Sequence, residues 1–354
     1  MEEKKDTLGM LDLVIRPGFC VKENQIIKVN QAAESLFITP GTDVRPLLLT
    51  GSEEYAAFTG GCLYLTLNLS SHSCGASVTR GDDIDVFLLE QESDNGELRS
   101  MALAARELRE PLTNVMITAD SLFPLCAAES SPRTAEQVAR LNRGLFQILR
   151  IIGNMSDAER CAAVSHQETV DIPALFAEFF EKAETLVSHT GITLTYEGPD
   201  QPIYGLADRE QLERAVLNIL SNAIKFTPKG GTVTAKLTRS GRMLRLSVTD
   251  SGSGIAQSVR SSVFSRYLRQ PALEDSRYGI GLGMVLIRTA AAHHGGAVLI
   301  DQPEGVGTRI TMTMSIRQSK QATLRSNVLR VDYAGERDHG LIELSECLPT
   351  ELYE

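Results

Sequence analysis

Three kinds of hydrophobic pattern succeed one another along the chain. Up to about residue 90, short apolar runs at Gln25–Val29, 62–69 and 84–89 are separated by polar turns and read as strands. Asn30 follows the first run and precedes QAAESLF, the place of a helix N-cap. A polar, glycine-containing joint occupies 92–97. Beyond it Leu98, Met101, Ala105, Leu108, Leu112, Val115, Met116, Ala119 and Leu122 recur at steps of three and four, predicting one face of a long helix that ends at Pro124. A loop rich in Ala and Ser leads to Pro132, and Val138, Leu141, Leu145, Ile148, Ile152 and Met155 predict a second helix. The apolar stripe of such a hairpin is too wide for one partner. Two hairpins paired as a four-helix bundle would bury it, so a homodimer is expected, with packing onto neighbouring domains as the alternative.

From Val170 the pattern alternates. Helices are expected over 172–186, 211–226 and 284–293, and strands over 192–196, 233–237, 244–249, 297–301 and 308–315, with 233–237 and 244–249 paired across Ser240-Gly241. This describes an α/β sandwich, one mixed sheet covered by helices. After Ile316 the chain is polar to Ser326, then offers a strand-like 328–331 and a short helix capped by Asp338 that bears Leu341, Ile342, Leu344 and Leu348. Such a helix is expected to dock on the protein's own surface, with service to a partner as the alternative.

Composition narrows the classes. The 354 residues are 42% hydrophobic and 23% charged, enough for real cores. A net charge of -10 argues against a nucleic-acid surface. No apolar run approaches the roughly 18–20 residues that cross a bilayer. The first residues, MEEKKDTLGM, lack the apolar stretch of a secretory signal, so a cytoplasmic location is expected. Six cysteines are scattered without a CxxC pair and read as reduced and mostly buried; Cys62, His72 and Cys74 are the nearest approach to a ligand cluster.

Three segments carry chemistry. Asn218, Asn222 and Lys225 share one helical face, and two carboxamide oxygens beside one ammonium suit Mg²⁺ bridged to a polyphosphate, or else a solvated polar face. In VTDSGSGI, Asp250 ends a strand, where a carboxylate can accept from the exocyclic amine of adenine, and Gly252 and Gly254 are expected to turn the chain with positive φ. In GIGLGM, Gly279, Gly281 and Gly283 open a helix, an arrangement that cradles phosphate with backbone N–H groups.

LERAVLNILSNAIKFTPKGG, DSGSGI, VFSRYLR, GIGLGM and EGVGT resemble, in order, the N, G1, F, G2 and G3 boxes of sensor histidine kinases, whose ATP-binding fold is shared with gyrase and mismatch-repair ATPases. The resemblance implies a multidomain α+β protein with a dimerising helical hairpin over 93–165, an ATP-binding domain over 166–316 and a tail over 317–354. The strand–Asn–helix order at 25–37 resembles the start of a PAS sensor domain, expected over 1–92, with an unrelated small α/β domain as the alternative. The kinase resemblance implies ATP and Mg²⁺ as cofactors, with Asn222 on the metal, Lys225 on phosphate, Asp250 on adenine, Ile255 packed against the base and Thr308 supporting the carboxylate through water. Arg266 and Arg269 would belong to a mobile lid between Gly254 and Gly279. Hydrolytic members of the superfamily carry Glu four residues before the metal Asn. Here that residue is Asn218, which cannot take a proton from water, so free hydrolysis is expected to be slow.

The family's first hairpin helix carries a motif close to S-H-E-L-R-T-P-L; this chain reads Ala105-Arg106-Glu107-Leu108-Arg109-Glu110-Pro111-Leu112. Arg106 occupies the phosphoacceptor position and Glu110 the position used for dephosphorylating the partner. A guanidinium stays protonated and is no nucleophile. The expected protein is therefore a kinase-family signalling protein degenerate in autophosphorylation, which pairs with an active kinase or a response regulator. The alternatives are a kinase acting in trans on another protein, as in phosphorelays or anti-sigma-type systems, an autokinase using an unexpected acceptor, and a non-enzymatic ATP-gated scaffold. Arg106 itself would either bind the γ-phosphate or be a plain solvated residue.

Overall fold

The protein is described here from a computed structural model, covering residues 11–69, 72–81, 83–90, 92–128, 132–163, 166–255, 263–264, 281–303, 307–318 and 337–353. Its first unit holds strands β1 (Gly18–Lys22) and β2 (Gln25–Val29), short helices α1 (Gln31–Glu34) and α2 (Ser52–Ala57), and strands β3 (Cys62–Asn68), β4 (Ser73–Arg80) and β5 (Asp85–Leu89). Asn30 is the N-cap of α1 as expected, accepting from Ala33 N at 3.0 Å. Its amide also donates to the carbonyls of Val14 and Arg16, so one buried side chain ties the entry segment to the helix. Two strands escape the pattern reading. β1 is buried at four successive positions and so has no alternation, and β4 (SCGASVTR) is built of small residues.

The hairpin is α3 (Glu92–Ala128) and α4 (Pro132–Ala163). The joint at 92–97 is the first turn and a half of α3, not a linker, and the helix runs through Pro124 instead of stopping there. A proline removes one backbone bond and crowds the carbonyl four residues back, and the last four residues still complete a turn. Ala105, Leu112, Met116 and Ala119 are buried with Leu145, Leu149 and Ile152 of α4. Leu108, Val115 and Leu122, spaced by seven, are instead 50%, 51% and 51% exposed, as is Leu141 at 58%.

The C-terminal unit comprises β6 (Glu168–Asp171), α5 (Ile172–Val187), β7 (Thr193–Glu197), β8 (Tyr204–Ala207), α6 (Arg209–Phe226), β9 (Thr232–Ser240), β10 (Met243–Asp250), α7 (Leu282–His293), β11 (Val298–Asp301) and β12 (Arg309–Ser315), followed by the tail helix α8 (His339–Glu343). β9 and β10 form the expected hairpin, turning at Gly241-Arg242, one residue beyond the predicted pair. β6 and β8 make a separate two-stranded ribbon that the sequence pattern does not announce. The sheet is mixed, with β7 parallel to β9 and the other pairs antiparallel. Helices α5, α6 and α7 cover it, burying Phe176, Phe180, Leu212, Ile219 and Ile287.

The two sheets are one. β3 pairs antiparallel with β11, giving ten strands in the order β2-β1-β5-β4-β3-β11-β12-β10-β9-β7. The seam is reinforced by Arg288 of α7, which is buried, pairs with Glu90 at 2.5 Å and lies 4.9 Å over the Tyr64 ring. Cys62 and Cys74 lie towards opposite ends of the β3–β4 pair, facing Thr79 and Leu67.

Candidate functional site

Helix α6 begins at Asp208, whose Oδ1 accepts from Gln211 N at 3.2 Å and whose Oδ2 accepts from His166 N at 2.7 Å. Beneath this cap lies His294, fully buried, accepting at Nε2 from Asp208 N and bonded at Nδ1 to Ala290 O. Burial holds its pKa below the ordinary histidine range, although the bond to Ala290 and the charge of Asp208 pull the other way. The neutral ring thus fixes the start of the helix that carries Asn218, Asn222 and Lys225.

Those three residues do lie along one face of α6. Asn218 is buried; its amide nitrogen donates to Arg214 O at 2.9 Å. Its Oδ1 is also buried, with no hydrogen-bond partner among the described residues, and Gly283 leaves the space in front of it, since a Cβ there would come within 2.8 Å. An orphaned carboxamide oxygen facing a gap made by glycine suits a hard cation or one of its waters. Asn222, half-buried, reaches Met284 Sδ at 3.8 Å. Met284 and Gly283 belong to the first turn of α7, whose N-cap is Gly281 at φ +82°. The first turn of α7 and the polar face of α6 therefore front each other, combining a positive helix end with two amide oxygens.

Asp250 closes β10, nearly buried. Its Oδ1 accepts from Gly252 N at 2.8 Å and from Thr308 N at 3.2 Å, and both bonds fall on that one oxygen. Burial raises its pKa, and the two backbone N–H groups act against the rise. Thr308 thus reaches the carboxylate directly through its backbone. Gly254 has the positive φ expected, +73°. Gly252 does not; glycine is required there because a Cβ would run into Asp250 Oδ1, at 2.8 Å, and into the carbonyl of Phe226. Ile255 packs on the edge of the core. Arg266, Arg269 and Gly279 lie outside the described residues, as does the strand expected at 328–331.

The tail adds residues that the motifs do not include. Asp338 caps α8 as expected, accepting from Leu341 N at 3.0 Å, and Ile342, Leu344 and Leu348 are buried. Between them Glu343 is wholly buried, 3.3 Å from Arg150 of α4, 3.1 Å from Arg214 of α6 and 3.3 Å from the Asn218 amide. Arg214 also pairs with buried Asp157 and donates to Asn154 Oδ1 at 2.6 Å. One turn on, Glu346 pairs with Lys225 at 2.7 Å and with Arg150 at 3.1 Å. Burial alone would raise the Glu346 carboxyl; the Arg150 charge and the Lys225 bond more than offset it and hold its pKa low. Tail backbone is gripped from α4: Arg143 donates to the carbonyls of Ser345 and Glu346 at 2.9 and 3.0 Å, and Asn142 to that of Tyr353 at 2.9 Å.

Residues 207–318 match the family described as histidine kinase-, DNA gyrase B- and HSP90-like ATPases. An uncharacterized sensor-like histidine kinase of Rhizobium meliloti is 29% identical over 276 residues, covering 73% of this chain and 52% of its own. The adaptive-response sensory kinase SasA of Synechocystis is 30% identical over 224 residues, covering 61% of this chain and 58% of its own. The chain belongs to the sensor histidine kinase family. Its fold is shared with full-length ShkA, solved in complex with AMPPNP: TM-score 0.51 at 24% identity, over 62% of this chain and 46% of that one. The chain spans about half to two thirds of the curated relatives it matches. No described helix is long and apolar enough to cross a membrane.

Arg106 and, one turn on, Glu110 are both exposed on α3. Of the six histidines, none falls between residues 92 and 163. The charged neighbours of the α6 polar face that motif reading misses are Arg150, Arg214, Glu343 and Glu346. Arg214 had a signal, since it lies four residues before Asn218 on the same face of α6. The two glutamates had only the amphipathic pattern of the tail around them.

Proposed function

We propose that the ATP-binding unit, 166–316, holds Mg·ATP between α6, the end of β10 and the start of α7, and that the chain signals without phosphorylating its own hairpin. The observation that carries the second half is Arg106: a permanently protonated side chain stands where the family needs a nucleophilic imidazole, and α3 and α4 contain no histidine. Asp250 Oδ2 is the oxygen left to accept from adenine, because the described bonds occupy Oδ1. Asn222, with Asn218 behind it, holds Mg²⁺ against the phosphates, and Lys225, Arg266 and Arg269 supply cations to them. Held by these amides, Mg²⁺ would supply positive charge that screens the phosphates. Asn218, lacking a carboxylate, leaves water unactivated and hydrolysis slow.

The heptad-spaced, half-exposed Leu108, Val115 and Leu122 support the hairpin as a dimer seam between two copies of the chain. The five-stranded order β2-β1-β5-β4-β3 around Asn30 supports a PAS-like sensor unit over 1–92. The intact Asn222 and Lys225 favour one second reading, a kinase acting in trans on a response regulator or another protein. Incubation with γ-labelled ATP, alone and with candidate receivers, separates the cases. Bound nucleotide without label on any chain is the expected result and fits an ATP-gated scaffold. Label on this chain sinks the proposal, and label only on the partner selects the trans kinase. Asp250→Asn removes binding in every case, and retained affinity would overturn the adenine assignment.

A further inference from the structure

We infer that the C-terminal segment 337–353 is an autoinhibitory clamp that competes with the nucleotide's phosphates for Lys225 and pins the ATP-binding unit to the hairpin. The inference rests on the proposed Mg·ATP site. Lys225 follows Asn218 and Asn222 along the same face of α6, and it is committed to Glu346 at 2.7 Å in a half-buried pair. A phosphate that takes Lys225 must displace a carboxylate of like charge, and the two anions cannot share one ammonium without repulsion. Glu346 also neutralises Arg150 on α4, so its displacement unsettles the hairpin contact too.

The clamp has two anchors of different strength. Glu343, wholly buried between Arg150 and Arg214, is the permanent one; Glu346, with a side chain 29% exposed, is the one that can exchange its partner for phosphate. Between them the segment bridges α4 and α6 through the Arg143 bonds to Ser345 and Glu346, the edge-to-face contact of Tyr353 with Phe146 at 5.2 Å between ring centres, and the contact of Cys347 Sγ with Ser221 O at 3.4 Å. While both anchors hold, α6 cannot move relative to α4. Nucleotide entry weakens the exchangeable anchor and frees that motion. By linkage the effect is reciprocal: weakening the clamp raises nucleotide affinity by the factor by which nucleotide weakens the clamp.

The test is equilibrium binding of Mg·AMP-PNP to the full chain and to Glu346→Gln, together with hydrogen exchange of residues 337–353 with and without the nucleotide. Glu346→Gln keeps shape and hydrogen-bonding capacity but removes the competing charge; its affinity should rise roughly 5-fold or more. In the unsubstituted chain, nucleotide should speed exchange in 341–348. Equal affinities of the two proteins, or a tail that exchanges more slowly with nucleotide bound, overturn the clamp and leave the ATP site standing. Absence of binding by both proteins overturns the ATP site itself. Binding by the variant alone supports both.

Discussion

Arg214 is the residue on which the junction of hairpin, ATP-binding unit and tail depends most, and its removal should show this. Six charged side chains meet there: Arg150, Arg214 and Lys225 against Asp157, Glu343 and Glu346. The positive and negative groups balance. Glu346 and Lys225 keep some contact with water, but Arg214, Asp157 and Glu343 keep almost none. Arg214→Met therefore leaves two buried carboxylates facing one fewer cation, and the methionine stem replaces only the packing. Breaking a buried pair by removing one partner costs about 3–5 kcal/mol. At about 2–4 °C per kcal/mol for a unit of 150–250 residues, the midpoint should fall by roughly 6–20 °C. Thermal unfolding followed by circular dichroism reads this directly. Arg214→Lys retains the charge but loses the fork that reaches Asp157, Glu343 and Asn154 together, and should fall between. Adding Glu343→Gln to Arg214→Met removes one orphaned charge, so the double variant should lose less than the sum of the singles. A shift of no more than a degree or two in Arg214→Met, or strict additivity of the pair, refutes the view of this cluster as a coupled network.

Four further outcomes are expected. His294 stays neutral when folded because its pKa is held below the ordinary 6.5, whereas the unfolded chain takes up a proton near 6.5; stability should therefore fall as pH drops from 7 towards 5.5, and His294→Gln should flatten that part of a Tm-against-pH curve. Gly61 faces the backbone of Ile300 and Asp301 at φ +92°, so Gly61→Val should break the β3–β11 seam and expose the segment between the two units to limited proteolysis, with ATP affinity unchanged. Leu108→Glu with Leu122→Glu should give a monomer by light scattering, because two charges are placed on the half-exposed seam. Arg106→His with Glu110→Thr should form phosphohistidine from γ-labelled ATP; a variant that binds nucleotide and stays unlabelled shows that more than the acceptor has changed.

What the sequence made legible follows the range of the interactions concerned. The cap at Asn30, the polar face of α6 and the cap at Asp338 are set by residues within one or two turns, and periodicity and side-chain chemistry find them. Asp250 was legible as a strand end beside glycines, though the reason for Gly252 was not: it is glycine for space against Phe226, a neighbour 26 positions away, and not for φ. Pro124 predicts too early an end for α3 because a proline is a local signal, and here the packing of a long hairpin outweighs one lost bond. The tail is the extreme case. Glu343 meets Arg150 and Arg214 across separations of 193 and 129 residues, and nothing near it distinguishes a buried glutamate from a solvated one. The same separation gives the contact its consequence. A charge network closed between the last residues of the chain and the helix that carries Asn218 and Lys225 forms only when hairpin and ATP-binding unit are already in place. It therefore reports their relative position, as a regulatory contact must and a folding contact need not.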